Sequence, residues 1–218
     1  MTRHNDDGRW AQRFAALWER CRVGEASDVA TIHAALCSRH EEPARRYHTL
    51  EHIRHCLREL DAAHLAEDIG DALELALWFH DAIYTPGAQD NERRSADLFR
   101  SQAERSLSST VLDDVERMIM ATTHRHPPRT RAEAWMVDID LSSFGLPWPT
   151  FLRDSRHLRE ELGALDDEQY YAAHARFLRG LCARHRIFTT DLFNARYEHT
   201  ARTNITRLLD VIAAGTRL

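Results

Sequence analysis

The sequence predicts an all-α protein, and three observations support that fold class. Apolar residues recur at spacings of three and four along most of the chain, which is the period of an amphipathic helix. No alternating apolar and polar run flanked by hairpin turn residues stands out. The chain has 8 glycines and 6 prolines, and these fall between the periodic segments. We therefore expect one helical domain over residues 1–218.

Turn and capping residues delimit the predicted helices. Pro86-Gly87 in TPGAQDN forces a turn after the fourth helix. Thr110, with Asp113 three residues later, resembles a capping box that begins the sixth helix. In order, the predicted helices span about Trp10–Cys21, Asp28–His40, Leu50–His64, Asp68–Ala82, Glu92–Arg105, Thr110–Thr123, Ala132–Phe144, Pro149–Leu162, Asp167–His185 and Asp191–Ala214.

Composition narrows the class of partner and the compartment. The net charge of −5 argues against a nucleic-acid polymer, which requires a basic surface on the protein. No run of about 18 apolar residues is present, so we expect no membrane span. The start MTRHNDDGRW also lacks the apolar core of a signal peptide. The 4 cysteines form no CxxC pair, which indicates free thiols in a reducing compartment, and we expect the cytoplasm.

Histidines recur on one face of the third predicted helix, in YHTLEHIRHCLREL. Leu50, Ile53, Leu57 and Leu60 form an apolar stripe, and the opposite side carries His48, His52, His55 and Glu59. One interpretation is a solvated polar face. The other is a histidine-lined wall of a cleft, because two histidines four residues apart in a helix can bind one metal ion.

A histidine and a carboxylate stand side by side in ALWFHDAIY, a segment that is otherwise apolar. A carboxylate in such a segment needs a partner, because a buried charge is normally paired or bound to a metal. His80-Asp81 can therefore contribute metal ligands. The alternative is an aspartate at a helix end that forms a salt bridge with a nearby arginine.

Two acids interrupt a third apolar segment, VDIDLSSFG. Asp138 and Asp140 are two residues apart, which on a helix places their side chains about 200° apart, so one metal rarely binds both. One of them can bind a metal while the other caps a helix or supports a ligand. The alternative is a simple helix-capping aspartate ahead of Leu141.

In order and spacing, four segments resemble the HD superfamily of metal-dependent phosphohydrolases, and in particular a bacterial subgroup of predicted HD-domain phosphohydrolases. The segments are RRYHTLEHI, ALWFHDAIY, DNERRSA and VDIDLSSFG, and they cover about residues 45–145. The resemblance implies an HD-domain helical bundle with additional helices at both ends, including an extension over about residues 148–218. Exposed faces of that extension are compatible with a homodimer.

The resemblance also implies a set of metal ligands. His52, His80, Asp81 and Asp140 match the family pattern, with Asp138 as the alternative to Asp140. Two imidazoles and two carboxylates suit one divalent ion, such as Mn, Fe, Co, Ni, Zn or Mg. One ion is favoured over two because the interval between the doublet and the last acid contains only His124 and His126, fewer histidines than dinuclear family members use.

Further residues receive expected roles from the same resemblance. Glu92 or His48 is expected to orient the metal-activated water or manage its proton, with Asp81 beside them. A favourable charge in the first turn of a helix is the alternative role for Glu92. His124, Arg46 and Arg93 are expected to meet substrate phosphate, Arg46 and Arg93 through bidentate hydrogen bonds.

The sequence therefore predicts a cytoplasmic metal-dependent phosphohydrolase that acts on a small phosphate ester, which includes nucleotides. No GxxxxGK[ST] phosphate loop is present, which argues against an ATP-driven kinase or motor. Two alternatives stay open at this level. One is a di-iron oxygenase of the same superfamily, and the other is a non-catalytic metal-bearing sensor or interaction domain.

Overall fold

The computed structural model describes residues 2–65 and 67–215, with side chains described from residue 8 and, after the gap, from residue 69. Within these ranges the chain forms ten α-helices and one 3-10 helix, and no strand, which confirms the all-α class. The helices are α1 (Thr2–Cys21), α2 (Val29–His40), α3 (Leu50–Ala63), α4 (Glu67–Phe79), α5 (Asn91–Ala103), α6 (Ser109–Ala121), α7 (Arg131–Leu141), the 3-10 helix (Ser142–Gly145), α8 (Trp148–Glu161), α9 (Asp167–Cys182) and α10 (Asp191–Ala213).

Helix α4 lies at the centre of the bundle, in contact with α1, α3, α5, α6 and α7. Every residue from Ala72 to Phe79 is buried, because the helix is apolar on almost every face and is covered all round. Its one buried acid in that stretch, Glu74, accepts two hydrogen bonds from the guanidinium of Arg13, at 2.8 and 2.9 Å. The centre of the fold is thus a rigid support for the turn that follows Phe79. None of the described helices has the length and apolar character needed to cross a membrane.

The 3-10 helix links the central bundle to the C-terminal helices. It packs against α10, and a Cβ atom placed on Gly145 would lie 2.5 Å from Tyr197, so only glycine permits this approach. The side-chain amide of Asn204 donates to the carbonyl oxygens of Phe144 and Leu146, at 2.9 and 2.8 Å. These contacts fix the segment that directly follows Asp138 and Asp140.

Most helix boundaries lie within a few residues of the predicted ones, and three differences matter. Helix α4 ends at Phe79 instead of Ala82, which leaves His80 and Asp81 in the turn after the helix. Helix α7 ends at Leu141 instead of Phe144, and the remaining residues form the 3-10 helix. The predicted capping box is wrong: the hydroxyl of Ser108, not that of Thr110, accepts from a backbone amide, that of Val111 at 3.3 Å.

The polar face of α3 packs against other parts of the protein, so the solvated interpretation of that face is wrong. His52 is buried, and His55 Nε2 lies 2.8 Å from the hydroxyl oxygen of Ser142. Glu59 accepts a hydrogen bond of 2.8 Å from the hydroxyl of Tyr197. His48 precedes the helix, which begins at Leu50.

Candidate metal centre

The turn after α4 holds His80 and Asp81 in a fixed arrangement. The amide of His80 still donates to the carbonyl of Ala76, at 2.9 Å, so the histidine continues the last turn of the helix. The buried guanidinium of Arg45 donates to the carbonyl oxygens of Asp81 and Ala82, at 2.7 and 3.1 Å. Arg45 thereby ties this turn to the segment that leads into α3. It binds backbone, so it does not extend toward a substrate.

Four side chains from three elements converge on one point, which we call the candidate metal centre: His52, His80, Asp81 and Asp140. His52 Nε2 lies 3.3 Å from His80 Nε2 and 3.2 Å from Asp140 Oδ1. His80 Nε2 lies 3.0 Å from Asp81 Oδ2 and 3.6 Å from Asp140 Oδ1, and His52 Nε2 lies 3.8 Å from the same Asp81 oxygen. Ligand bonds of about 2.0–2.2 Å place neighbouring donor atoms about 3.0–3.5 Å apart, so these side chains could hold a metal ion.

The orientation of His80 suits metal binding. Its Nδ1 lies 2.9 Å from the carbonyl oxygen of Leu77, so Nδ1 carries the proton and donates to that oxygen. In the neutral imidazole this leaves a lone pair on Nε2, which is the atom that faces His52 and the carboxylates. A carbonyl that holds the far nitrogen of a liganding histidine is a recurring feature of metal sites.

The charges of the centre are strongly coupled. Burial alone would lower the pKa of His80, but the Asp81 and Asp140 carboxylates outweigh it and raise that pKa well above its usual value. Burial alone would raise the pKa of Asp81 and of Asp140, but the adjacent histidines lower both. Both acids are therefore ionised at neutral pH, and their two negative charges match a divalent cation.

Asp138 and Asp140 project from α7 in different directions and have different partners. Asp138 is fully buried and accepts from the amides of Thr189 and Thr190, at 2.9 and 2.7 Å, just before α10 begins. Asp140 instead faces His52 and His80 through Oδ1 and His124 through Oδ2. The structure thus brings Asp140 to the centre, and Asp138 joins two helices.

Cys56 lies next to the centre, with its Sγ atom 3.7 Å from His52 Nε2. His52, Cys56 and Asp140 also place donor atoms close enough to hold an ion. Burial, with the nearby Asp140 and Asp81 charges, raises the pKa of the Cys56 thiol well above its usual value. The thiol is therefore protonated in the absence of a metal ion.

His48 is held by a carboxylate that lies far away in the sequence. Its Nδ1 donates to Glu161 Oε2 at 2.6 Å, and the other oxygen of Glu161 accepts from the amides of Arg46, Tyr47 and His48 at 2.7–2.9 Å. Burial would raise the pKa of Glu161, but the hydrogen bond and charge of His48 lower it to about 2. Glu161 therefore fixes both the ring of His48 and the backbone that carries it, and Nε2 is left to meet a ligand.

A cavity of about 230 Å³ opens beside the centre. Asp81 and Asp140 line it together with His48, Glu92 and His124, so the predicted catalytic residues share one space with the two acids. Glu92 reaches the cavity from the first turn of α5. The neighbouring Asp90 occupies the cap position of α5 but forms no capping hydrogen bond with its side chain.

His124 has an unusual backbone conformation. Its φ of 53° lies in the left-handed region, which residues other than glycine seldom adopt. Its Nε2 lies 3.1 Å from Asp140 Oδ2, so His124 orients the carboxylate that faces the two buried histidines. Strained backbone of this kind persists where the surrounding structure requires it, and it is often found at functional sites.

The structure places the two predicted substrate-binding arginines outside this cavity. Arg93 forms a 2.6 Å ion pair with Glu116 and lines a separate surface cavity, together with the exposed His126. Arg46 donates to the carbonyl oxygens of Pro43 and Arg45, and it lines a second neighbouring cavity. Neither guanidinium is brought to the cavity lined by Asp81 and Asp140.

Several residues of this site have no sequence motif that reveals them. Glu161 ends α8 and contacts His48, which lines the cavity, whereas Tyr170 and His174 lie on α9 and line the cavity themselves. Their contributions arise from packing between distant parts of the chain. The only sequence indication is that acidic and aromatic residues recur in these helices, which is also common in helices without a site.

No protein-family model, curated protein or solved structure matches this chain.

Proposed function

We propose that this protein is a metal-dependent phosphohydrolase of the HD type, which binds one divalent ion and hydrolyses a small phosphate ester. The observation that carries the proposal is the convergence of His52, His80, Asp81 and Asp140, with donor atoms 3.0–3.8 Å apart, beside a cavity. The motif resemblance adds to that observation, because the same four residues match the metal ligands of HD proteins.

The donor set fits a borderline divalent ion. Two imidazoles and two ionised carboxylates neutralise a dication and suit Mn, Fe, Co, Ni or Zn, and carboxylates also suit Mg. The groups His52–His80–Asp81 and His52–Cys56–Asp140 share His52, which supports a single ion position over two separate ones. A bound ion of this kind supplies Lewis-acid polarisation of a phosphoryl oxygen and a lowered pKa for a coordinated water.

The remaining residues have roles that follow from their positions. Glu92 lines the cavity and belongs to neither donor group, and we assign it the role of accepting a proton from the attacking water. His48 is oriented through its Nδ1 by Glu161, so its Nε2 can donate to a phosphoryl oxygen or to the leaving group. His124 orients Asp140 and lines the same cavity.

The test measures phosphate release by protein that has been stripped with a chelator and then reloaded with Mn²⁺, Fe²⁺, Co²⁺, Ni²⁺, Zn²⁺ or Mg²⁺ in turn. The substrates are a panel of phosphate monoesters and nucleotides. We expect at least one ion to restore hydrolysis, and we expect Asp81→Asn to abolish it. Asp97→Asn, on an exposed part of α5, is the matched control and should behave as the wild type.

Two results would count against the proposal. Hydrolysis that survives in Asp81→Asn would show that the reaction does not depend on this cluster. A properly folded, metal-loaded wild type that hydrolyses none of the esters would instead favour the non-catalytic sensor or interaction domain.

A further inference from the structure

Two residues of α9 that line the cavity beside the metal centre each carry a buried polar atom, and neither atom has a hydrogen-bond partner within the described ranges. The atoms are Tyr170 Oη and His174 Nε2. The residues are one helical turn apart, and their rings stack with centroids 5.3 Å apart and planes 15° apart. Buried polar groups in proteins are almost always satisfied, so two adjacent exceptions on residues that line one cavity require an explanation.

The fold holds the Tyr170 ring in place without using its hydroxyl group. The guanidinium of Arg159 lies 4.9 Å from the ring centroid, a cation–π distance. Arg159 is itself fixed by the carbonyl oxygens of Leu162 and Leu165 and by Asp167, at 2.8–3.1 Å. The position of Tyr170 is thus determined by contacts with its ring, and the fold makes no hydrogen bond with the hydroxyl.

Both groups are neutral at physiological pH. Burial lowers the pKa of His174 to about 4, so its imidazole is uncharged above that value. Burial, with a smaller effect of Tyr171, raises the pKa of the Tyr170 hydroxyl, which therefore keeps its proton. The pair offers hydrogen bonds without charge.

The rest of the cavity limits what can enter it. Its walls include Phe144, Leu158 and Leu162, and the residues described along it include no arginine. The chain also contains no lysine. Within this cavity a second or third phosphate group would bring charge that the lining does not neutralise, because Arg46 lines a separate cavity, which His52 also lines. The volume of about 230 Å³ is smaller than the roughly 300–1,000 Å³ of pockets for drug-sized ligands, so the ligand is compact.

From this arrangement we infer that Tyr170 and His174 form a recognition subsite for the alcohol portion of the substrate. The substrate class is a monophosphate ester whose alcohol is a compact, uncharged ring that carries a hydrogen-bonding group. The ring packs against the apolar wall, and its polar group pairs with Tyr170 Oη and His174 Nε2. This inference rests on the proposed phosphohydrolase function, because the cavity connects the pair with Asp81 and Asp140.

The experiment measures binding, by calorimetry, of ligands that cannot be hydrolysed because carbon replaces the bridging oxygen. The ligands are methylphosphonate, benzylphosphonate and 4-carbamoylbenzylphosphonate, with neutral benzamide as a fourth probe. The proteins are metal-loaded wild type, Tyr170→Phe and His174→Phe. Tyr171→Phe is the matched control, because Tyr171 lies on the same helix but lines a different cavity.

We expect wild type to bind the carbamoyl compound roughly three- to tenfold more tightly than benzylphosphonate, the gain typical of a net hydrogen bond. Tyr170→Phe and His174→Phe should each bring the affinities for the carbamoyl compound and for benzylphosphonate closer together, so that their ratio falls toward one. The affinity for methylphosphonate should stay unchanged. Tyr171→Phe should keep the wild-type ratio. Tyr170→Phe should melt at the wild-type temperature or higher, because it removes an unpartnered buried hydroxyl group.

The outcomes separate this inference from the proposed function. If methylphosphonate binds but the carbamoyl preference is absent, or survives in both variants, the subsite is overturned and the phosphohydrolase proposal stands. If no phosphonate binds while benzamide binds wild type and not Tyr170→Phe, the subsite stands and the phosphohydrolase proposal falls. If no probe binds, both are overturned.

Discussion

His52 Nε2 and His80 Nε2 lie 3.3 Å apart in the interior of the protein, and each also lies within 4 Å of the carboxylates of Asp81 and Asp140. Because Nδ1 of His80 donates to the carbonyl of Leu77, Nε2 is the ring atom that faces His52, and in the neutral form of the ring that atom carries the lone pair. Two facing imidazole nitrogens need a shared cation or proton between them and the acids.

A bound metal ion should stabilise the fold. A ligand that binds only the native state at 100 times its Kd adds about 2.7 kcal/mol to the free energy of unfolding. For a chain of this size that corresponds to a rise of roughly 5–11 °C in the melting temperature. Melting curves of stripped and metal-saturated protein test this. Asp81→Asn should show no such rise, and an equal rise in that variant would place the ion elsewhere.

The two acids of α7 should respond differently to the same substitution. Asp140→Asn should lose metal affinity and turnover, because Asp140 Oδ1 faces both buried histidines. Asp138→Asn should keep one ion per chain but lose about 1–3 kcal/mol of unfolding free energy, because an amide would face the backbone amides of Thr189 and Thr190. Metal analysis and denaturant unfolding of both variants check this, and the opposite ranking would assign the ligand role to Asp138.

Glu92→Gln should separate catalysis from binding. If Glu92 accepts the proton of the attacking water, turnover should fall by about 10²–10⁴-fold while metal content stays unchanged. The melting temperature should also stay within a few degrees of wild type, because the exchange costs at most roughly 0.3–1 kcal/mol of first-turn charge effect. Steady-state kinetics and melting curves on one sample measure both, and Asp97→Asn on the same helix is the control. Unchanged turnover would show that Glu92 acts only as a favourable charge in the first turn of the helix.

The His48–Glu161 pair should make a pH-dependent contribution to stability. The folded-state pKa of Glu161, lowered to about 2, lies below its ordinary value of 4.5, so its stabilisation is full above 4.5 and is lost as the pH falls toward 2. Wild type should therefore exceed Glu161→Gln in unfolding free energy at pH 6, and the difference should shrink by pH 3. Urea unfolding at both values, with a chelator present, provides the measurement. A difference that is independent of pH would show that hydrogen bonding to the backbone, not charge, accounts for the role of Glu161.

Local patterns in the sequence predicted the helical fold and drew attention to the acids and histidines that converge. The apolar segments around His80 and Asp140 made those polar residues conspicuous, because unpaired charge is costly in a core. The end of α4 at Phe79 was not predictable, since Arg45 stabilises the following turn from 36 positions away. Glu161, Tyr170 and His174 were not predictable for the same reason: tertiary packing alone brings Glu161 to His48 and brings Tyr170 and His174 to the cavity.

The most direct test of the account is a crystal structure of metal-loaded protein, with anomalous diffraction measured at the absorption edge of the bound ion. We predict a single anomalous peak within about 2.0–2.3 Å of His52 Nε2, His80 Nε2 and carboxylate oxygens of Asp81 and Asp140. The central claim would be contradicted by an ion bound elsewhere. It would also be contradicted if crystals saturated with metal showed no anomalous peak near these four side chains.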